Sequence, residues 1–437
     1  MSQSTNCWQA SPGLSQTSHQ YYDIPAWNCN GSLLLVIGAD QPAKGKKPTK
    51  LPYLVAKLGS GERRLAIPLD ILNDSRFAKK SKSYQWDAKD PDLLYYIVYN
   101  EAMTTTTLRR HNVRTNADEA LVSVPGRLEL AVPHPDGEHL LLIPGLGGVS
   151  DVLIVSIHDR KVTPVPLPAP VHRVRFTKNP DLSVFCNTQT DDPKAREERV
   201  SYRLDVSTGE QRVLVKGIAG HPDWSPDGAR LSYFDKEGLC VVDRNGKMLQ
   251  RIHGLGGHQS WSPDGRYIVF DAGTFKAKDP NGVEKEFAKY ISMVEPASGK
   301  ITPLAPHNSK LTKDQDTHPH PAFSPDATKV VFNSNNNGQE NPQAFVVKAR
   351  DPDEVRNLSL AQEGNGRRIS WEPSQAKETK GFVIYRVMND DRVVVVAETS
   401  LDSRSYTDTN DADVKGYGVA VKEFSGLQSA IRKAYLR

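Results

Sequence analysis

A fifteen-residue unit that occurs three times limits the fold of this chain more than any other feature. HPDWSPDGARLSYFD at 221–235 recurs as HQSWSPDGRYIVFDA at 258–272 and as HPAFSPDATKVVFNS at 320–334. Each copy reads as a short strand, a tight turn and a second strand. Proline presets φ for such a turn and glycine accepts positive φ. The runs that follow, RLSYF, RYIVF and KVVFN, are β-branched and aromatic, as strand residues tend to be. Weaker copies begin at Pro25, Gln85, Val132 and Val174, and each copy is followed by a further pair of strand-like runs. Seven four-strand units spread over about residues 18–360 give roughly 49 residues each. That period predicts an all-β chain dominated by a seven-bladed β-propeller over 18–362. A sandwich is the alternative, but sandwiches do not repeat one turn signature on a four-strand period.

The pattern changes after residue 363. RRISWEPSQAKETKGFVIYRVMNDD and SRSYTDTNDADVKGYGVAVKEFSGLQS carry no Pro-Asp-Gly units. Their order is a tryptophan-bearing strand, a GFVIYRV strand, a turn, a GYGVAV strand and a hairpin. Residues 366–437 therefore resemble a fibronectin type III domain, a small β-sandwich. A propeller freed of this segment is expected to stay folded.

Composition removes several function classes. The 56 basic and 52 acidic residues leave a net charge of +4, too balanced to point to nucleic acid. The four cysteines, Cys7, Cys29, Cys186 and Cys240, are far apart with no C-x-x-C spacing, which fits neither a zinc motif nor a disulfide framework. Cys186 and Cys240 lie in apolar runs and read as buried thiols. No stretch is apolar enough to span a membrane as a helix. MSQSTNCWQASPG shows neither a basic n-region nor an apolar h-region, so the expectation is a cytoplasmic protein. There is no Gly-x-Ser-x-Gly elbow for a serine hydrolase. Lysine-rich stretches at 43–50 and 78–83 read as solvated loops, or as a basic rim for a polyanion.

The aromatic before each turn serves as a ruler. Three residues before Trp224, Trp261 and Phe323 stand His221, His258 and His320. Measured from Phe176, the same place holds Arg173, with His172 beside it. First strands of propeller blades line the central channel, so these positions form a ring suited to an anion, a metal or both. The bland alternative is that each histidine only hydrogen-bonds a neighbouring blade. Gln315-Asp-Thr-His318-Pro-His320 is a sharper signal. His318 and His320 are two apart and point the same way on an extended strand. Imidazole suits Mn²⁺, Zn²⁺ or Fe²⁺, and an amide oxygen adds a neutral ligand. With His258 from the neighbouring blade, these residues would leave coordination positions open for a substrate.

The segments QDTHPHPAFSPDATKVVFNS, GHQSWSPDG, GIAGHPDWSPDG, VHRVRF with SVFCN, and TSHQYYDIPAW with NGSLLLVIGAD together resemble the oligogalacturonate lyases. The likeness covers most of the propeller, is thin between 45 and 165, and does not extend to the C-terminal segment. It implies a seven-bladed propeller that cleaves short uronate oligosaccharides by β-elimination, with no membrane or nucleic-acid partner. It implies a divalent metal, typically Mn²⁺, on His258, Gln315, His318 and His320. It implies an arginine base, matched best by Arg199 with Arg196 as rival. His221 matches a further active-site histidine, and His172 and His19 match histidines on the same face. Read from chemistry alone, arginine is a poor base. Arg199 would more readily grip a carboxylate as a fork, with His221 as the base. A different polyuronide, or a non-catalytic TolB-like propeller binding a partner, are the competing readings.

Overall fold

The computed structural model describes residues 7–39, 49–73, 79–130, 132–144, 149–178, 181–188, 198–217, 219–278, 284–335, 341–374, 377–410 and 413–436. Its strands form antiparallel sheets in the order the repeats predict. Blades 1 and 2 occupy residues 16–65 and 79–125, with four strands each. Blades 3 and 4 share one long strand, Val162–Phe176. Its first part pairs with Val149–Ser156 of blade 3, and its last part with Ser183–Thr188 of blade 4. Blades 5 and 6 run over 220–253 and 255–306. Blade 7 takes three strands from 322–348, and its outermost strand is Cys7–Gln9. Cys7 pairs with Val347 and Gln9 with Phe345, so the chain's first described strand closes the ring.

The repeated turn has a simple cause. Ser225 donates to Asp227 at 2.5 Å, and the same carboxylate oxygen accepts the Ala229 N–H at 3.0 Å. Ser262 and Asp264 repeat the arrangement at 2.6 Å. The serine thus orients the aspartate that closes the turn.

The propeller has no single central core. Its apolar side chains gather in clusters between neighbouring blades. One joins Tyr84, Trp86 and Leu94 of blade 2 to Leu35 and Leu54 of blade 1. Another joins Trp261 and Phe270 of blade 6 to Leu239 and Val241 of blade 5. A third joins Trp27 and Val36 of blade 1 to Val331 and Val346 of blade 7 across the closure. The ruler aromatics Trp224, Trp261 and Phe323 are buried in such seams, as are Cys186 and Cys240, and all four cysteines are free thiols.

The C-terminal residues form a three-stranded and a four-stranded sheet around Trp371, Phe382, Tyr417 and Val421. The smaller sheet begins at Arg356–Glu363, which pairs with Gly366–Glu372. The expected division between 362 and 366 therefore falls inside a hairpin, and the strand pairing moves it to the segment between Lys348 and Arg356. The expected loop at 78–83 also differs, because Lys79–Trp86 is the inner strand of blade 2. Residues 43–48 lie outside the described residues.

The two parts meet at the ring closure. Glu378 and Glu423 of the C-terminal sheets enclose Lys329 of blade 7, at 2.5 and 2.6 Å from its Nζ. Glu378 also packs on blade 1. A Cβ on Gly31, whose φ is +72°, would lie 2.2 Å from the Glu378 Cγ, so only glycine fits there. No helix among the described residues is long and apolar enough to cross a membrane.

Candidate metal centre

Three imidazoles converge at one end of the propeller. His258, His318 and His320 each offer a nitrogen, and these nitrogens all lie within 4.8 Å of one another. The His258 and His320 ring centroids are 4.2 Å apart, and His318 stands 5.5 Å from His258 and 5.7 Å from His320. His221 packs on the other side of His258, at 4.2 Å.

Local backbone geometry explains why these side chains leave the sheet plane. The ladder between the first two strands slips between Gly220 and Asp223 in blade 5, and between Gly256 and Gln259 in blade 6. In blade 7, Ala322 faces Val331 while the Asn333 N–H already bonds the Pro319 carbonyl. Each interruption is a bulge at the histidine, and a bulge re-aims a side chain. His221 and His320 adopt left-handed φ values of 46° and 48°. Such strain in a residue with a Cβ is tolerated where surrounding contacts over-determine it, commonly at functional sites.

The hydrogen bonds determine which nitrogen of each ring is free. The Nδ1 of His258 is 2.9 Å from Asp271 Oδ2, and its backbone N–H donates to Asp271 Oδ1 at 2.8 Å. An ionised carboxylate only accepts, so Nδ1 carries the hydrogen and Nε2 the lone pair. The Nε2 of His318 is 2.8 Å from the Thr312 carbonyl, which leaves Nδ1 unprotonated. Buried His318 Nδ1 and His320 Nε2 have no hydrogen-bond partner among the described residues. Buried polar atoms are normally paired. Unpaired nitrogens aimed at a common region fit the donor set of a divalent ion, so these residues fit a metal. Burial, reinforced by the surrounding histidines, keeps His320 neutral far below the ordinary imidazole range, as a ligand must be.

The other expected residues are distributed differently. Gln315 opens the 3-10 turn Gln315–Thr317, whose first residue follows a capping aspartate, Asp314. Its side chain is exposed and makes no hydrogen bond among the described residues. Neighbouring Asp316 pairs with Lys50 across the mouth of blade 1. Arg199 directly precedes the third strand of blade 4, Val200–Asp205, so its backbone lies at the histidine end. Its Nε has no partner among the described residues. Arg196 lies outside the described residues. The backbones of His172 and Arg173 follow the inner strand of blade 4, where the register again slips between Val171 and Arg173.

His19 requires a correction. It is 1 % exposed, its Nε2 lies 3.3 Å from the Pro319 carbonyl, and its backbone N–H bonds Asn333 at 2.9 Å. Burial pushes its pKa down to about 4. Its Nε2 props the segment that carries His320, and its Nδ1 is buried without a hydrogen-bond partner among the described residues. For this residue the neighbouring-blade reading holds.

The sequence reading missed several residues of the centre. Tyr21 packs 4.4 Å from His320 and 5.8 Å from His258. Tyr22 packs 5.6 Å from His221, and its hydroxyl points at the Pro222 carbonyl at 3.4 Å. Asp23, next in line, pairs with Arg175, which also donates to the Pro222 carbonyl at 3.2 Å and fixes this loop over the ring. His307 is buried near Asp271, and its Nδ1 accepts the Ser309 backbone N–H at 3.0 Å. Asp271 had a visible signal. Ten residues after the ruler aromatic stand Asp271 and Asn333 in two of the repeats, a place that Phe234 holds in the third.

Among solved structures, an oligogalacturonate lyase from Vibrio parahaemolyticus matches with a TM-score of 0.57 and 15 % identity, over 79 % of this chain and 94 % of that one. An oligogalacturonate lyase in complex with manganese matches at 0.56 and 16 %, over 78 % and 95 %. TolB from Acinetobacter baumannii aligns at 0.36 and 14 %, over 78 % and 76 %. No family model matches the chain, and no curated protein matches it. At these identities the likeness to the two lyases establishes the propeller fold of the chain.

Proposed function

We propose that this protein is a polysaccharide lyase that cleaves short uronate-containing oligosaccharides, of oligogalacturonide type, by metal-assisted β-elimination to 4,5-unsaturated uronates. The observation that carries the reading is the convergence of three imidazoles, two of them with buried unpaired nitrogens, on a fold shared with oligogalacturonate lyases. One of those neighbours is described in complex with manganese.

The holding residues would be His258 through Nε2, His318 through Nδ1 and His320 through Nε2. Gln315 is the candidate fourth ligand. A bound divalent ion, Mn²⁺ in this reading, supplies Lewis-acid polarisation of the substrate carboxylate and so acidifies the adjacent C5–H. The remaining work falls to the protein. A base must take the C5 proton while the C4–oxygen bond breaks. His221, 4.2 Å from His258, is beside that position and has the ordinary chemistry of a general base. Arg199 is the alternative base, and its guanidinium suits a bidentate grip on a uronate carboxylate. His172 and Arg173 would extend the cationic lining for a polyanionic substrate. Tyr21 and Tyr22 offer aromatic faces beside the imidazoles. The C-terminal sandwich, whose seven strands counted from Arg356–Glu363 are ordered 1-2-5 and 4-3-6-7, is proposed to be of fibronectin type III type.

The test is a panel of uronate oligomers incubated with the full chain and Mn²⁺, followed by the ultraviolet absorbance of the conjugated product. A chelator-sensitive rise, lost in His221→Ala, is expected. No product from any oligouronide in the panel would refute the lyase reading.

A further inference from the structure

Asp271 stands behind the imidazole cluster within the second strand of blade 6, Ile268–Lys278, 4 % exposed. Both of its carboxylate oxygens are committed to one residue. Oδ1 accepts the backbone N–H of His258 at 2.8 Å, and Oδ2 faces its Nδ1 at 2.9 Å. The approach depends on the residue before His258. Gly257 has φ +88°, and a Cβ there would lie 2.0 Å from Asp271 Oδ1. Two bonds and a glycine thus fix one carboxylate against one imidazole.

We propose that Asp271 is a positioning residue that sets the His258 tautomer, and that the charge-free amide of Asp271→Asn would invert it. The proposal rests on the metal reading above. The carboxylate only accepts, so it requires the hydrogen on Nδ1 and leaves the lone pair on Nε2. In Asp271→Asn the His258 N–H still demands an acceptor, which turns the amide oxygen to that side. The amide NH₂ then faces Nδ1 and donates to it. The ring hydrogen moves to Nε2, and a protonated Nε2 has no lone pair to give a metal. Asp271→Ala leaves the ring free to choose either tautomer.

Two roles for Asp271 therefore predict opposite orders. If the side chain only braces the strand, the isosteric asparagine preserves more than alanine. If it sets the tautomer, asparagine is the more damaging change. The experiment titrates Mn²⁺ into metal-free full-length protein, wild type and both variants. It also reads the protonated ring nitrogen of His258 by ¹⁵N NMR of histidine-labelled, metal-free samples, with His258→Gln assigning the signal. Loss of an outer-shell carboxylate partner typically weakens metal binding about 10–100-fold, which is the expectation for Asp271→Ala. Asp271→Asn should fall below it, with the hydrogen on Nε2 where the wild type carries it on Nδ1. Asparagine binding more tightly than alanine, or an unchanged Nδ1–H signal in Asp271→Asn, would overturn the proposal. If asparagine prevents folding, a wild-type Nε2–H signal, or Asp271→Ala binding as tightly as wild type, overturns it equally. Wild-type protein that binds no Mn²⁺ overturns the metal reading, while the NMR signal still decides the tautomer.

Discussion

Replacing Lys329 by methionine probes the seam between the propeller and the C-terminal sheets. Lys329 is 1 % exposed, and its Nζ lies 2.5 Å from Glu378, 2.6 Å from Glu423 and 2.8 Å from the Thr328 hydroxyl. Asp326 adds a third carboxylate, with oxygens of all three within 4.8 Å of one another. Methionine keeps the stem's volume but removes the cation that these carboxylates surround. Breaking a buried ion pair from one side costs about 3–5 kcal/mol. The m-value grows with chain size, so at roughly 4 kcal/mol per molar a loss of about 4 kcal/mol lowers the urea midpoint by about 1 M. The loss must also depend on pH. Burial pushes the Glu378 carboxyl well above the ordinary range, and Glu423 moves up for the same first reason. A carboxyl raised in the folded state stabilises fully below the unfolded value of about 4.3, and that stabilisation is lost as pH rises through the folded value. Lys329 holds these raised values down, so without it the decline extends to higher pH. Urea unfolding at pH 5 and pH 8 therefore should show the larger loss at pH 8. A loss below about 1 kcal/mol at pH 8, or equal losses at the two pH values, would refute the assignment of Lys329 as a desolvated counter-ion.

Other outcomes follow from the same contacts. His19 is buried neutral with a pKa near 4, so its contribution to stability is present above the unfolded value of about 6.5 and falls as pH drops toward 4. That window is worth about 3 kcal/mol. A His19→Gln variant should show a flatter stability profile between pH 6.5 and 4, and an unchanged slope would contradict this. Gly257→Ala forces a Cβ onto Asp271 and a strained φ, so it should reduce Mn²⁺ affinity at least tenfold and lower thermal stability. Wild-type affinity in that variant would show that the Asp271 carboxylate is dispensable.

Much of the fold was legible because its cause is local. A serine and an aspartate close the turn in each of the three clear repeats, with glycine following in two of them, and an aromatic seals the seam, so the repeats record those blades directly. The same ruler found His221, His258 and His320, because a bulge recurs at the same place in each inner strand. What stayed hidden is what the chain assembles over distance. The three-residue strand Cys7–Gln9 has no periodicity of its own and gains its role only by reaching Val347. Lys329 occupies the position that holds Arg230 and Tyr267 in the sister repeats, and its carboxylates lie 49 and 94 residues onward. Nothing in a surface-looking SPDATK marks it as buried. The hairpin that begins at Arg356 was read as the end of the propeller because a strand carries no sign of which sheet it joins. Gln315 remains a motif residue whose side chain makes no hydrogen bond among the described residues.

His134, Asp136 and His139 form a second cluster, at the turn of blade 3. Both Nδ1 atoms there already face the Asp136 carboxylate, at 2.9 and 2.7 Å, in the place where serine orients the turn in other repeats. It is a useful internal control for the central claim, that His258, His318 and His320 hold one divalent ion. The direct measurement is the stoichiometry and affinity of Mn²⁺ binding to metal-free full-length protein, compared with His318→Ala and His139→Ala. One ion per chain, lost in His318→Ala and kept in His139→Ala, is the predicted result. Undiminished binding in a folded His318→Ala variant would contradict the account.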